Sequence, residues 1–264
     1  MKLPTLPRPK YEATITGVDG TLIYTPFSIA DKRNLLSAIS FKDPKAFIQT
    51  VVDIVKANTN LEELGAMQLH YIEAAFMKVY AASMGGVIEA DYTCSAEVEV
   101  PAQPTKDATD TEPAKEAVAA HTRICGTVTA IRIPIDDIEL DYGDLRPGKE
   151  HVVQLSDDVA VTLAIPSWDE MQKYLSDDKI VDISDEFVLS CIVSVSTPDA
   201  VLTREDFTEE ELQKWIEDLD SQSGDKFGVF FSNIPVIQKT LNVKCPKCQS
   251  ERLLVLRGID DFFV

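Results

Sequence analysis

The run VKCPKCQSERLLVLRGIDDFF, residues 243–263, decides how this chain is read. Cys245 and Cys248 are separated by Pro246 and Lys247, a spacing that suits a tight knuckle with both sulfurs aimed at one point, which is half of a tetrahedral zinc site. An imperfect echo lies upstream. Cys125 opens CGTVTAIRIPIDDIEL, as Cys248 opens CQSERLLVLRGIDDFFV. Each cysteine leads into an apolar strand-like stretch and then into Ile-Asp-Asp, at 135–137 and at 259–261. Cys94, in DYTC, is then the first cysteine of the upstream pair, pushed away from Cys125 by an insertion. Cys94, Cys125, Cys245 and Cys248 are therefore the candidate metal ligands. Four thiolates make a closed structural zinc site that contributes folding energy and leaves no position for substrate. The bland alternative is a decayed upstream knuckle with two ordinary thiols. Redox chemistry at the CxxC pair fits less well, because strand-like runs flank it and no helix N-terminus is there to lower a thiol pKa.

Composition narrows the partners. At 264 residues, with 45% hydrophobic and 26% charged residues, the chain has what a globular core requires. Its net charge of −19 argues against nonspecific binding to nucleic acid or to an anionic membrane surface, since phosphate contacts need clustered Lys and Arg. No stretch approaches the roughly 20 apolar residues of a membrane span, so no membrane span is expected. The start MKLPTLPRPKYEA lacks the apolar core of a signal peptide. Five cysteines, an odd number, point to reduced thiols in a cytosolic setting rather than to a disulfide framework.

Along the chain the signals suggest an α+β fold: helical segments, small antiparallel β-hairpins and a zinc-ribbon-like cysteine knuckle. Residues 1–94 carry a Pro-punctuated arm, then a hairpin from Tyr11–Thr16 and Thr21–Tyr24 turned at Gly17-Val18-Asp19-Gly20. Ser28 with Asp31, and Asp43 before Pro44, mark two helix starts. A third helix, with Leu69, Ile72, Phe76, Val79 and Tyr80 on its inner face, ends at Gly85-Gly86 and feeds a strand from Val87 to Cys94. Residues 95–121 are poor in large apolar side chains and rich in Pro, Ala, Thr and charge, which predicts a flexible insertion. Residues 122–264 form a second α+β region. It holds a strand with Ile131, Ile133 and Ile135 on one face and a hairpin over 151–165. Capping boxes follow at Ser167–Glu170 and Thr208–Glu211, and the spacing of Phe187, Val188, Cys191, Ile192 and Val195 predicts one helix face. Cys191, inside that stripe, reads as a small hydrophobe. Between Arg204 and Asp220 stand eight acids and two bases, so the helix over 208–220 presents a strongly negative face. Solvation accounts for such a face by default, and docking of a basic protein surface is the sharper reading.

Catalytic constellations are missing: three histidines share no motif with a nucleophile, and no phosphate-cradling loop or metalloprotease motif occurs. The acids Asp136, Asp137, Glu139, Asp141 and Asp144 lack the spacing of a calcium loop and read as a solvated loop. In order, LPTLPRPKYEATI, IYTPFSIADKRNLLSA, LHYIEAAFMKVYAASMGGVIEADYTC and VKCPKCQSERLLVLRGIDDFF resemble the baseplate hub and hub-assembly proteins of T-even-like tailed bacteriophages. The likeness covers both ends of the chain, with the middle matched in outline, and the sequence departs from the pattern where 95–121 separates the upstream cysteines. The resemblance implies a non-enzymatic component or assembly factor of the contractile-tail hub, acting with hub and tape-measure proteins, in the virion tail or in the host cytoplasm during assembly. The rival from another class is a zinc-ribbon adaptor touching nucleic acid or transcription machinery, which the acidity and the want of a basic, aromatic-interleaved strand oppose.

Overall fold

The protein is described from a computed structural model covering residues 6–102, 121–143, 145, 151–175 and 185–263. In chain order the elements are β1 (Tyr11–Ala13), β2 (Leu22–Tyr24), α1 (Ile29–Phe41), α2 (Pro44–Asn58), α3 (Leu69–Met84), β3 (Val87–Thr93), β4 (Glu97–Val100), β5 (His121–Ile124), β6 (Val128–Pro134) and β7 (Glu139–Asp141). They continue with β8 (His151–Gln154), β9 (Ala160–Leu163), α4 (Trp168–Met171), α5 (Asp185–Cys191), β10 (Ile192–Ser196), β11 (Val201–Thr203), α6 (Glu209–Glu217), α7 (Ser221–Ser232), β12 (Val236–Lys244), β13 (Glu251–Arg257) and α8 (Asp260–Phe263). The fold is α+β, with antiparallel strand pairs throughout the registers observed. Contacts divide it into two compact units built from interleaved stretches. The first comprises 1–87, 134–239 and 257–264, and the second 88–133 and 240–256.

Helix starts in the larger unit follow the capping chemistry of the sequence. The Ser28 hydroxyl accepts from the Asp31 N–H while the Asp31 carboxylate accepts from the Ser28 N–H, and Asp43 accepts from the Ala46 N–H ahead of Pro44. α1, α2 and α3 pack in sequence around Phe47, Ile48, Val51, Val55, Ile72 and Phe76, all buried. Complete burial of side chains this size contributes about 1.5–3 kcal/mol each. The short α8 closes this core: the Phe263 ring lies 4.9 Å from Tyr80, 5.8 Å from Phe76 and 6.0 Å from Phe47, centroid to centroid. A four-stranded sheet, ordered β11-β10-β9-β8, buries Val153, Val161, Leu163, Ile192 and Val195. α7 is tied to the β8–β9 turn by the Lys226 ammonium, which donates to the Gln154 and Leu155 carbonyls at 2.8 Å each.

Several local expectations change. The stripe from Phe187 to Val195 is not one helix: α5 stops at Cys191 and Ile192–Ser196 enters the sheet as β10, paired with β9. The β-branched Ile192, Val193 and Val195 suit the pleated surface better than a helix, and a register shift between Ile192 and Ser194 lets Ile192 and Val195, three positions apart, both be buried. Cys191 is buried as expected, and burial pushes its thiol up to about 12. Glu139–Asp141, read as solvated loop, forms β7 and pairs with Val236–Gln238, while Asp137 meets Lys239 at 3.5 Å. The flexible insertion expected at 95–121 falls largely outside the described residues. Its described start is ordered, since Glu97–Val100 pairs with His121–Ile124 as the hairpin β4–β5.

Candidate metal centre

In the smaller unit Cys94 directly follows β3, Cys125 precedes β6, Cys245 directly follows β12 and Cys248 precedes β13. Their four sulfurs converge: all lie within 4.8 Å of one another, with Cys94 Sγ 3.7 Å from Cys248 Sγ and Cys125 Sγ 3.8 Å from Cys245 Sγ. A tetrahedral zinc site with Zn–S bonds of about 2.3 Å requires sulfur–sulfur edges of about 3.8 Å. Two opposite edges of the cluster therefore already have that length. A disulfide would need about 2.05 Å, and all four thiols are free.

The two halves share one backbone pattern. In the downstream knuckle the Cys245 N–H donates to the Ser250 carbonyl at 2.9 Å, and the Gln249 N–H donates back to the Cys245 carbonyl at 3.0 Å. Upstream, the Cys94 N–H donates to the Thr127 carbonyl at 2.9 Å, and the Gly126 N–H returns to the Cys94 carbonyl at 3.0 Å. In each half the residue after the second cysteine is left-handed, Gln249 at φ 60° and Gly126 at φ 64°. The upstream pair is thus a knuckle with a long insertion between its cysteines, whose base is closed by β4 and β5 and by the Cys125 N–H donating to the Ala96 carbonyl at 2.8 Å. The echo continues into the larger unit, where both isoleucines of the Ile-Asp-Asp repeats, Ile135 and Ile259, are buried.

Electrostatics favours thiolates at part of the cluster. The backbone N–H of Cys248, opposed by burial and aided by that of Lys247, brings Cys245 down to about 6. Cys125 is lowered by the hydroxyl and N–H of Thr127, whose Oγ1 lies 3.2 Å from its sulfur. The Ser250 N–H pulls Cys248 down, but burial and the three neighbouring sulfurs outweigh it and push the thiol up to about 11. Crowded thiols that cannot all ionise unaided are what a divalent cation resolves, by replacing protons. Cys94, Cys245 and Ala96 are buried, and Cys125, Cys248 and Tyr92 are half-buried against them. The residue set is therefore all-sulfur, tetrahedral in spacing, shielded and fixed by backbone donors, and it fits a structural zinc ion. The structure brings together all four cysteines read from the sequence. His70 and Glu73, buried polar residues of α3, were not singled out by sequence.

Fold and centre together define a small α+β protein built around a structural type of cysteine cluster, and no described helix is long and apolar enough to cross a membrane. Residues 8–264 match the family described as T4 bacteriophage base plate protein, and the chain belongs to that family. It is thus a structural protein of the phage tail baseplate. Neither the curated proteins nor the solved structures contain a match.

Proposed function

We propose that the protein works without catalysis, as a component or assembly factor of the central hub of the contractile-tail baseplate, and that its four-cysteine cluster holds one structural zinc ion. The observation that carries this reading is the pair of knuckles with matching hydrogen bonds that bring four sulfurs to tetrahedral spacing in a baseplate-family chain. Cys94, Cys125, Cys245 and Cys248 would hold the ion. Zinc would supply cross-linking of four chain segments within the smaller unit, not a site for substrate. Partners fitting this reading are hub and tape-measure proteins, met in the host cytoplasm during assembly and then in the tail. The exposed acids of α6 and its flanks offer a negative face to a basic protein surface.

Elemental analysis of reduced protein is expected to find close to one zinc per chain, lost in both Cys94→Ser and Cys248→Ser, with a lowered melting temperature after chelation. No metal, together with unchanged melting under chelator, would remove the zinc centre. Capture of the tagged protein from infected cells is expected to recover hub or tape-measure proteins. Recovery of polymerase or nucleic acid instead would favour the adaptor reading.

A further inference from the structure

The larger unit contains a cavity of about 390 Å³ with largely apolar walls, formed by Leu69, Ile165, Met171, Phe187, Phe231 and Ile234 among others. Four ionisable side chains, His70, Glu73, Asp260 and Arg257, also line it. His70 and Glu73 lie one turn apart on one face of α3. Both are at least 95% buried, at 3% and 5% exposure. Nε2 of His70 has no hydrogen-bond partner among the described residues. A buried polar atom left this way calls for a ligand or an ordered water, because desolvating it unpaired costs about 1–3 kcal/mol. Glu73 accepts the backbone N–H of Ile259 and pairs with no cation among the described residues. We propose that this cavity binds a primary ammonium group carried on an apolar stem.

The donor and acceptor balance selects that head group. An ammonium has three N–H donors and no acceptor. Three of the lining side chains can accept: His70 at its unpartnered Nε2, when the ring is protonated at Nδ1, and Glu73 and Asp260 through their carboxylates. Burial holds His70 down at about 4, so the ring is neutral near physiological pH. Burial, reinforced by Asp260, pushes Glu73 up to about 8, and burial likewise raises Asp260, with Asp261 adding to it. Both carboxyls are thus poorly satisfied by their own surroundings, and an entering cation would let them ionise. Arg257, the remaining charged residue of the lining, is exposed, and its guanidinium donates to the Ser232 carbonyl at 3.5 Å. The stem would lie along Met171 and the rings of Phe187 and Phe231, whose centroids are 5.9 Å apart, apolar surface that favours a hydrocarbon over water. An anionic head group would meet two acids, and a neutral one would supply no charge for either carboxyl to ionise against.

Titration calorimetry of the full-length protein with hexylammonium chloride tests this, run near pH 7 in two buffers of different ionisation enthalpy. Saturable binding with release of protons is expected, at least about tenfold weaker in Glu73→Gln and in Asp260→Asn, the loss typical of a hydrogen bond to a charged group. Hexanol is expected to bind at least about tenfold more weakly than the amine by the same reasoning. Equal binding of hexanol, an unchanged affinity in Glu73→Gln, or no binding of the amine would each overturn the proposal. Competition by Nα-acetyl-lysine amide would assign the head group to a partner protein's lysine, and its failure to compete would assign it to a free amine. Zinc content reads out separately, so failure here leaves the metal centre intact.

Discussion

Two residues show how differently the knuckles solve the same problem. In each knuckle the residue after the second cysteine donates its own N–H to the first cysteine's carbonyl, and its left-handed backbone turns the next carbonyl, of Thr127 or Ser250, onto the first cysteine's N–H. Upstream this is Gly126, which adopts φ 64° without penalty, and downstream it is Gln249, which holds φ 60° against the crowding of its own Cβ. Nothing lies within 4 Å of a Cβ added at Gly126, so Gly126→Ala tests the backbone alone. It is expected to cost about 1 kcal/mol. Gln249→Gly is expected to stabilise by up to about 1 kcal/mol. Its exposed side chain makes one bond, 2.8 Å to the Pro246 carbonyl, and an exposed bond of that kind is a small loss. Opposite signs in urea denaturation of the two zinc-loaded variants would check the equivalence of the knuckles. Equal signs would contradict it.

Among the elements, α3 carries the clearest pH signature. With Glu73 held at about 8 against an ordinary 4.5, the native state keeps a proton that the unfolded chain gives up. Between about pH 4.5 and 8 the unfolded state therefore binds fewer protons, and stability falls as pH rises, by up to about 1.4 kcal/mol per pH unit. His70 acts at the other end: held at about 4 against 6.5, it is neutral in the fold, and stability is lost as pH drops from about 6.5 towards 4. Glu73→Gln should abolish the alkaline slope while leaving the acid one, so the variant should gain stability relative to the parent as pH rises from 5 to 8. Urea midpoints across that range measure it. Such a residue could not be found by pattern. LHYIEAAFMKVYAASM is nearly apolar all round, and what buries His70 and Glu73 includes residues after 257, far away in sequence. Elements announced by local chemistry were legible: α1, α2 and α6 start at the caps read from Ser28, Asp43 and Thr208. α7 went unread because Gly224 and Gly228 weaken its helical signal, although Asp220 caps it. The α5–β10 switch was hidden because a short apolar run suits a buried helix and a buried strand alike.

For the whole molecule, the compact units gather stretches that lie far apart along the chain, as when Cys94 meets Cys248 across 154 positions. The cysteine set was legible because ligand chemistry leaves a motif; the closeness of the upstream pair to the downstream one depended on strand pairing that no local pattern encodes. Surfaces that meet partners leave still less trace, and here charge is the main guide. A chain of net charge −19 repels most acidic neighbours, so a partner that docks on the flanks of α6 must bring positive charge. Reversal of that face can be made without harming the helix. Glu205 lies before α6, and Glu217 and Asp218 lie at its C-terminal end, where lysine complements the helix dipole and no first-turn acid is lost. The combined Glu205→Lys, Glu217→Lys and Asp218→Lys variant removes an exposed Gln213–Glu217 hydrogen bond, worth a few tenths of a kcal/mol, and should melt close to the parent. Its association with the partner recovered from infected cells should slow by about tenfold or more at low ionic strength, with dissociation changed far less. Raising salt to about 1 M shortens the screening length to about 3 Å and should bring the two association rates together. Association rates that match at every salt concentration would show that this acidic face is only a solvated surface, and that the docking site lies elsewhere on the molecule.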